Sequence, residues 1–177
     1  MNKLFRDVIN SKLSISVKKC NIISLKKSFT IANFYDIDNT IIFPIDGKLR
    51  YGKNKKTLEK NSALFISSHN TQSLSFGSTR ARTLAYEDFI DKKPKYICED
   101  LESNSNSRSE KFLIISIDVK AYDLINIFHS KYVGIDVFNS KNILMTLRSI
   151  SNELKNKHVG FNNMIDLMST KLVYEII

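Results

Sequence analysis

The sequence has only three histidines, two cysteines and five glycines in 177 residues, and each scarcity removes a class of chemistry. A metal-dependent enzyme on a double-stranded β-helix gathers two histidines one residue apart, then a carboxylate and a third histidine. Here His69, His129 and His158 stand apart, with no HxH or HxxxE, so no metal site is expected. Cys20 and Cys98 are distant and form no CxxC spacing, which argues against both a disulfide framework and a cysteine zinc site. They read as free thiols. Neither has a neighbouring histidine to lower its pKa, and no GxSxG elbow occurs. The glycines are scattered, so no GxxxxGK or GxGxxG phosphate loop can be written. The carboxylate pairs Asp36 with Asp38 and Glu99 with Asp100 lie in polar, turn-like text and read as solvated charge. The sequence requires neither an enzyme nor a cofactor.

Long apolar runs are missing too. None approaches the roughly 18 residues of a membrane span. The N-terminal MNKLFRDVINSKLSISVKK is interrupted by Lys3, Arg6, Asp7 and Lys12 and has no small-residue cleavage site, unlike a signal peptide. A cytoplasmic protein of one domain, or one domain with a helical appendage, is expected.

What the chain does have is positive charge. A formal net charge of +9 favours acidic partners such as nucleic acid, anionic lipid or a carboxylate ligand, without choosing among them, unless it is simply a solvated surface. Lysines concentrate at Lys18-Lys19, Lys26-Lys27 and the run KLRYGKNKKTLEK from Lys48 to Lys60.

From Cys20 to Phe89, short apolar or alternating runs separated by turn formers predict antiparallel strands, with a hairpin tip at Asp46-Gly47 and another turn at Gly52 to Lys56. The polar stretch Glu99 to Lys111 predicts a surface loop, and FLIISID (Phe112 to Asp118) returns to the sheet. The period then changes. Asp118 is positioned to cap a helix through Lys131 with Ala121, Leu124, Ile125 and Phe128 on one face. Ser140 is positioned to cap the next, carrying Ile143, Leu147, Ile150 and Leu154 as a narrow seam. A third, after Gly160, carries Phe161, Ile165, Met168, Leu172 and Ile176. Aromatics at Phe34, Phe43, Tyr51, Phe65 and Phe76 fall on the strand runs and either line an interior or pack as ordinary core. His69, in LFISSHNTQSLSF, reads as a rim or surface residue.

The stretch IIFPIDGKLRYGKNKKTLEKNSALFISSHNTQSLSF (Ile41 to Phe76), together with FLIISID and GFNNMIDLMSTKLVYEII, resembles the N-terminal regulatory domain of AraC/XylS-type transcription regulators. The text after Asn61 looks most similar to the enteric virulence activators of that family. The resemblance implies an α+β fold: an antiparallel cupin-like β-barrel of double-stranded β-helix type, with its N-terminal arm, over residues 1–118, followed by C-terminal dimerisation helices over 119–177. It further implies an effector-sensing homodimer holding a small, anionic, apolar ligand such as a fatty acid. The residues named for that ligand are Phe34, Phe43, Tyr51, Phe65 and Phe76, with Lys48 or Arg50 as carboxylate partner. Ile143, Leu147, Ile150 and Leu154 would form the dimer contact, unless the barrel covers them. Two features depart from the family. Ser67-Ser68-His69-Asn70 stands where many members turn at proline-glycine. Nothing in Asn126 to Ile177 looks like the helix-turn-helix pair that reads DNA, so DNA would be bound only through a C-terminal domain not present here. The alternative is a stand-alone basic module that binds nucleic acid or protein without a ligand pocket.

Overall fold

The computed structural model describes residues 13–99, 109–123, 125–128 and 134–177. Its strands are β1 (Leu13–Leu25), β2 (Phe29–Phe34), β3 (Asn39–Asp46), β4 (Leu49–Tyr51), β5 (Lys56–Thr57), β6 (Ala63–Ile66), β7 (Gln72–Phe76), β8 (Arg82–Leu84), β9 (Ile97–Cys98), β10 (Lys111–Ala121), β11 (Ile125–Asn126) and β12 (Ile135–Phe138). The helices are α1 (Tyr86–Tyr96), α2 (Lys141–Asn156) and α3 (Phe161–Ile176).

The strands form two separate sheets, and these do not close into the single barrel expected. The larger runs β12-β6-β3-β10-β1-β9, with β11 on β10; the smaller runs β5-β4-β7-β2-β8. All pairings are antiparallel except β2 with β8. The large sheet is the middle layer. Because successive side chains on a strand point to opposite faces, Ile22, Ile41, Phe65 and Ile115 reach one core, which α2 and α3 cover. Ile23, Ile42, Leu64 and Phe112, at the alternate positions, reach the other, against the small sheet and α1. Burial on both faces explains why TIIF, ALFI and FLII read as continuous apolar runs.

Asp46-Gly47 is not a hairpin tip. β3 pairs in the large sheet and β4 in the small one, so Gly47 carries the chain across between layers. At φ +145 it passes so close to its neighbours that a Cβ would lie 2.8 Å from both Glu110 Cβ and Phe112 Cζ. The basic turn after it is a hairpin: Lys55 N–H donates to the Gly52 carbonyl at 3.0 Å, and Tyr51 pairs with Lys56.

The helix expected from Asp118 is also corrected. Asp118 lies within β10, which runs on to Ala121; Tyr122 and Asp123 then take positive φ and reverse the chain into β11. Phe128 is buried on the helix side; Leu124 and residues 129–131 lie outside the described residues, as do residues 100–108 of the expected polar loop. The segment after Leu84, read as strand as far as Phe89, is instead helix α1.

The seam of α2 faces inward. Ile143, Leu147 and Ile150 are buried in the chain's own core with Leu172, Val173 and the outer face of the large sheet, and Leu154 packs at its border. Ile143, Leu147 and Ile150 are covered within this chain, and Leu154 is half-buried.

Candidate functional site

Between the two sheets, beneath α1, lies a cavity of about 100 Å³. Its walls are apolar: Ile23 and Ile42 from the large sheet, Phe29, Ile31 and Phe76 from the small sheet, and Phe89 from α1. The aromatics fix one another. Phe29 stacks on Phe76 at 5.0 Å and on Phe89 at 4.8 Å between centroids, and Phe76 meets Phe112 edge-on at 5.1 Å.

α1 forms the cover because its sequence favours a short amphipathic helix. Glu87 and Asp88 stand at its positive N-terminal end and Lys93 and Lys95 at its negative C-terminal end, and Lys92 bridges back to Asp88 at 2.8 Å. Phe89 and Tyr96 are its buried contacts. It is fastened at both ends: Tyr86 N–H donates to Asn33 Oδ1 at 2.9 Å, Lys26 Nζ to the Pro94 carbonyl at 3.0 Å, and Lys26 N–H and Lys27 N–H to the Tyr96 carbonyl at 2.8 and 3.2 Å.

Polar groups stand at both ends of the cavity. At one, Glu99 Oε1 accepts from Lys93 Nζ at 2.7 Å, Asn21 Nδ2 at 3.1 Å and Lys19 Nζ at 3.3 Å. Partial burial pushes the Glu99 carboxyl up, but Lys93 and Lys19 together outweigh it and hold it below its ordinary value. At the other end, Asp36 accepts from Thr40 Oγ1 at 2.9 Å and Ser116 Oγ at 3.1 Å, so this carboxylate is a structural acceptor, not free charge. Burial, then Asp36 and Glu87, push the Tyr86 hydroxyl up.

Of the residues named from sequence, Phe34 and Phe76 line this cavity, Phe34 lying edge-on to Tyr86 at 5.6 Å. Phe43 and Phe65 point to the helix-side core, where Phe65 meets Phe128 at 5.2 Å and Phe138 at 5.4 Å. Arg50 is buried and donates to the Gly77 carbonyl at 2.9 Å, fastening the small sheet; Tyr51 packs on the sheet beside it, and Lys48 is exposed. None of these three lines the cavity. Sequence reasoning missed Lys19, Lys93 and Glu99. Only the charge pattern of α1 was a usable signal, since nothing in the sequence shows that residues some eighty positions apart meet.

His69 is exposed in the β6–β7 turn at φ +61, its Nδ1 sharing a hydrogen bond with the Tyr35 hydroxyl at 2.8 Å. It borders a shallow depression with Asp38, Asp118, Lys18 and Lys120. Among the described residues, no three His, Cys, Asp or Glu side chains are grouped to hold a metal, and no helix is long and apolar enough to cross a membrane.

No protein-family model matches the chain, and no curated protein matches it. Solved structures do. An apo point variant of ToxT from Vibrio cholerae superposes at a TM-score of 0.50 with 12% identity, covering 94% of this chain and 56% of that one. Wild-type ToxT with an unsaturated fatty acid bound gives a TM-score of 0.43 with 14% identity, covering 80% of this chain and 46% of that one. The chain thus spans little more than half the length of ToxT. At these identities the likeness is one of fold.

Proposed function

We propose that the chain is the effector-sensing domain of an AraC-type transcription regulator, and that the effector occupies the cavity between the sheets under α1. The observation that carries this reading is the cavity itself: apolar walls, two lysine ammonium groups at its rim, and a single helix, α1, as its cover. The fold shared with apo ToxT over 94% of the chain supports the regulator part of the reading. The ligand it suits is a small apolar molecule with an anionic head, such as a fatty acid, its tail between Phe29 and Ile42. A cavity of about 100 Å³ is smaller than the roughly 300–1,000 Å³ of common ligand sites. Ligand entry therefore requires α1 to shift, and a ligand that prefers the shifted arrangement can transmit its presence. Pairing with a second copy belongs to the proposal; none of the described elements is assigned to reading DNA.

Thermal denaturation with decanoate tests the proposal. At a hundredfold excess over Kd the stabilisation is about 2.7 kcal/mol, which for a domain of this length raises Tm by about 5–10 °C. A melting curve unmoved by decanoate and by decanol overturns it.

A second reading rests on Lys53, Lys55, Lys56 and Lys60, all exposed on or beside the β4–β5 hairpin, as contacts to nucleic-acid phosphates. Its signature is an affinity for DNA that falls steeply with salt and drops when these lysines are replaced.

A further inference from the structure

We infer that Glu99 is a built-in occupant of the head-group site of this cavity, so that an incoming carboxylate must displace it and in doing so releases α1. The inference rests on the cavity being the effector site. Three donors from two elements converge on a single oxygen: Lys19 and Asn21 from β1, and Lys93 from α1, all on Glu99 Oε1. That is the donor set of a carboxylate-binding site, and the carboxylate now in it belongs to the protein. The Glu99 side chain is 42% exposed at the solvent edge. It follows the two-residue strand β9, whose pairing with β1 ends at Cys98 with Ser24, so nothing in the ladder fixes Glu99 itself. Lys93 lies near the end of α1, and its bond to Glu99 ties the cover to the large sheet through Lys19 and Asn21.

The exchange has a chemical consequence. A ligand carboxylate replaces one anion by another at the same donors, whereas a neutral hydroxyl head cannot satisfy two ammonium groups and leaves Glu99 in place. The site therefore selects anionic over neutral heads on the same tail. Glu99 sets the threshold, because its contacts with the lysines must be given up first.

Calorimetric titration of decanoate and of decanol into the wild type, Glu99→Gln and Asp91→Asn tests this. Asp91 is an exposed acid of α1 that does not line the cavity, and it controls for the general gain of positive charge. Two partly exposed ion pairs set the scale: Glu99→Gln should bind decanoate about three- to tenfold tighter, with decanol within about twofold and Asp91→Asn within about twofold for both. Equal decanoate affinity in the wild type and Glu99→Gln, weaker binding in Glu99→Gln, or an equal gain for decanol or in Asp91→Asn each overturns the inference while leaving the cavity as ligand site. Binding of neither molecule to any of the proteins removes the site, and the inference with it. Should Glu99→Gln fail to fold by circular dichroism, Lys93→Met takes its place: decanoate affinity must fall while decanol is unchanged, and unchanged decanoate binding overturns the inference.

Discussion

Leu147→Ala separates a core helix from an interface helix. Leu147 is 0% exposed and packs with Ile143, Ile150, Leu172 and Val173 over the large sheet. Truncating such a leucine forfeits its transfer free energy and leaves a cavity that the rigid sheet beneath cannot fill, at a cost of about 2–5 kcal/mol. At about 2–4 °C per kcal/mol for a domain of this length, Tm should fall by about 4–20 °C. Met145, on the same helix and 54% exposed, provides the control: Met145→Ala should cost less than about 0.5 kcal/mol. Circular dichroism melting and sedimentation of both variants at matched concentration read the result. If Leu147→Ala melts with the wild type yet sediments at a lower mass, the seam lies between copies and the packing of α2 described above is wrong.

Gly47→Ala places a Cβ at φ +145 within 2.8 Å of Glu110 Cβ and Phe112 Cζ, so the urea midpoint should fall by the equivalent of about 1–3 kcal/mol; an unchanged midpoint contradicts the crossover there. Burial, reinforced by Asp166, pushes the Cys20 thiol up to about 12, so at pH 8 iodoacetamide should label it slowly in the native protein and readily after unfolding. Fast native labelling would contradict the packing of α3 on β1. The Asp38 carboxyl is held above its ordinary value by burial, then by Asp36 and Asp118. A carboxyl so raised binds its proton more tightly when folded, so it costs stability at neutral pH and the cost lessens as pH falls through its folded pKa. Asp38→Asn should therefore raise Tm slightly at pH 7 and lose that advantage in acid; a lowered Tm at pH 7 would reverse the sign of the argument.

The strands were legible where alternation or continuous apolar text marked them, as in FTIANF, TIIF and FLII, and so was the change to helices after Ser140. What a strand run does not reveal is which face meets which partner. Phe43 and Phe65 sit one position from Ile42 and Leu64, and that single step sends them to the helices instead of the cavity. The failure at Ala121 and Ile125 has a similar origin. Their helical spacing arose from a strand end, a positive-φ turn and a short return strand, and only Tyr122-Asp123 marks the reversal. α1 was hidden by Pro94 and a scarcity of apolar residues, although Glu87-Asp88 before Lys93 and Lys95 carries the charge order of a helix. Beyond the charge order of α1, the Lys19, Lys93 and Glu99 cluster had no sequence signal, because the β1–β9 pairing is what brings Glu99 to Lys19.

The central claim, that an apolar anion enters between the sheets, is tested most directly by methyl NMR of the isoleucines during titration with decanoate. Ile23, Ile31, Ile42 and Ile114 line the cavity, whereas Ile143, Ile150 and Ile165 lie in the helix-side core across the large sheet. The account predicts saturable shifts of the first four δ1 methyls, with the other three moving far less. Shifts confined to Ile143, Ile150 and Ile165, or no saturable shift in any of the seven, would contradict it.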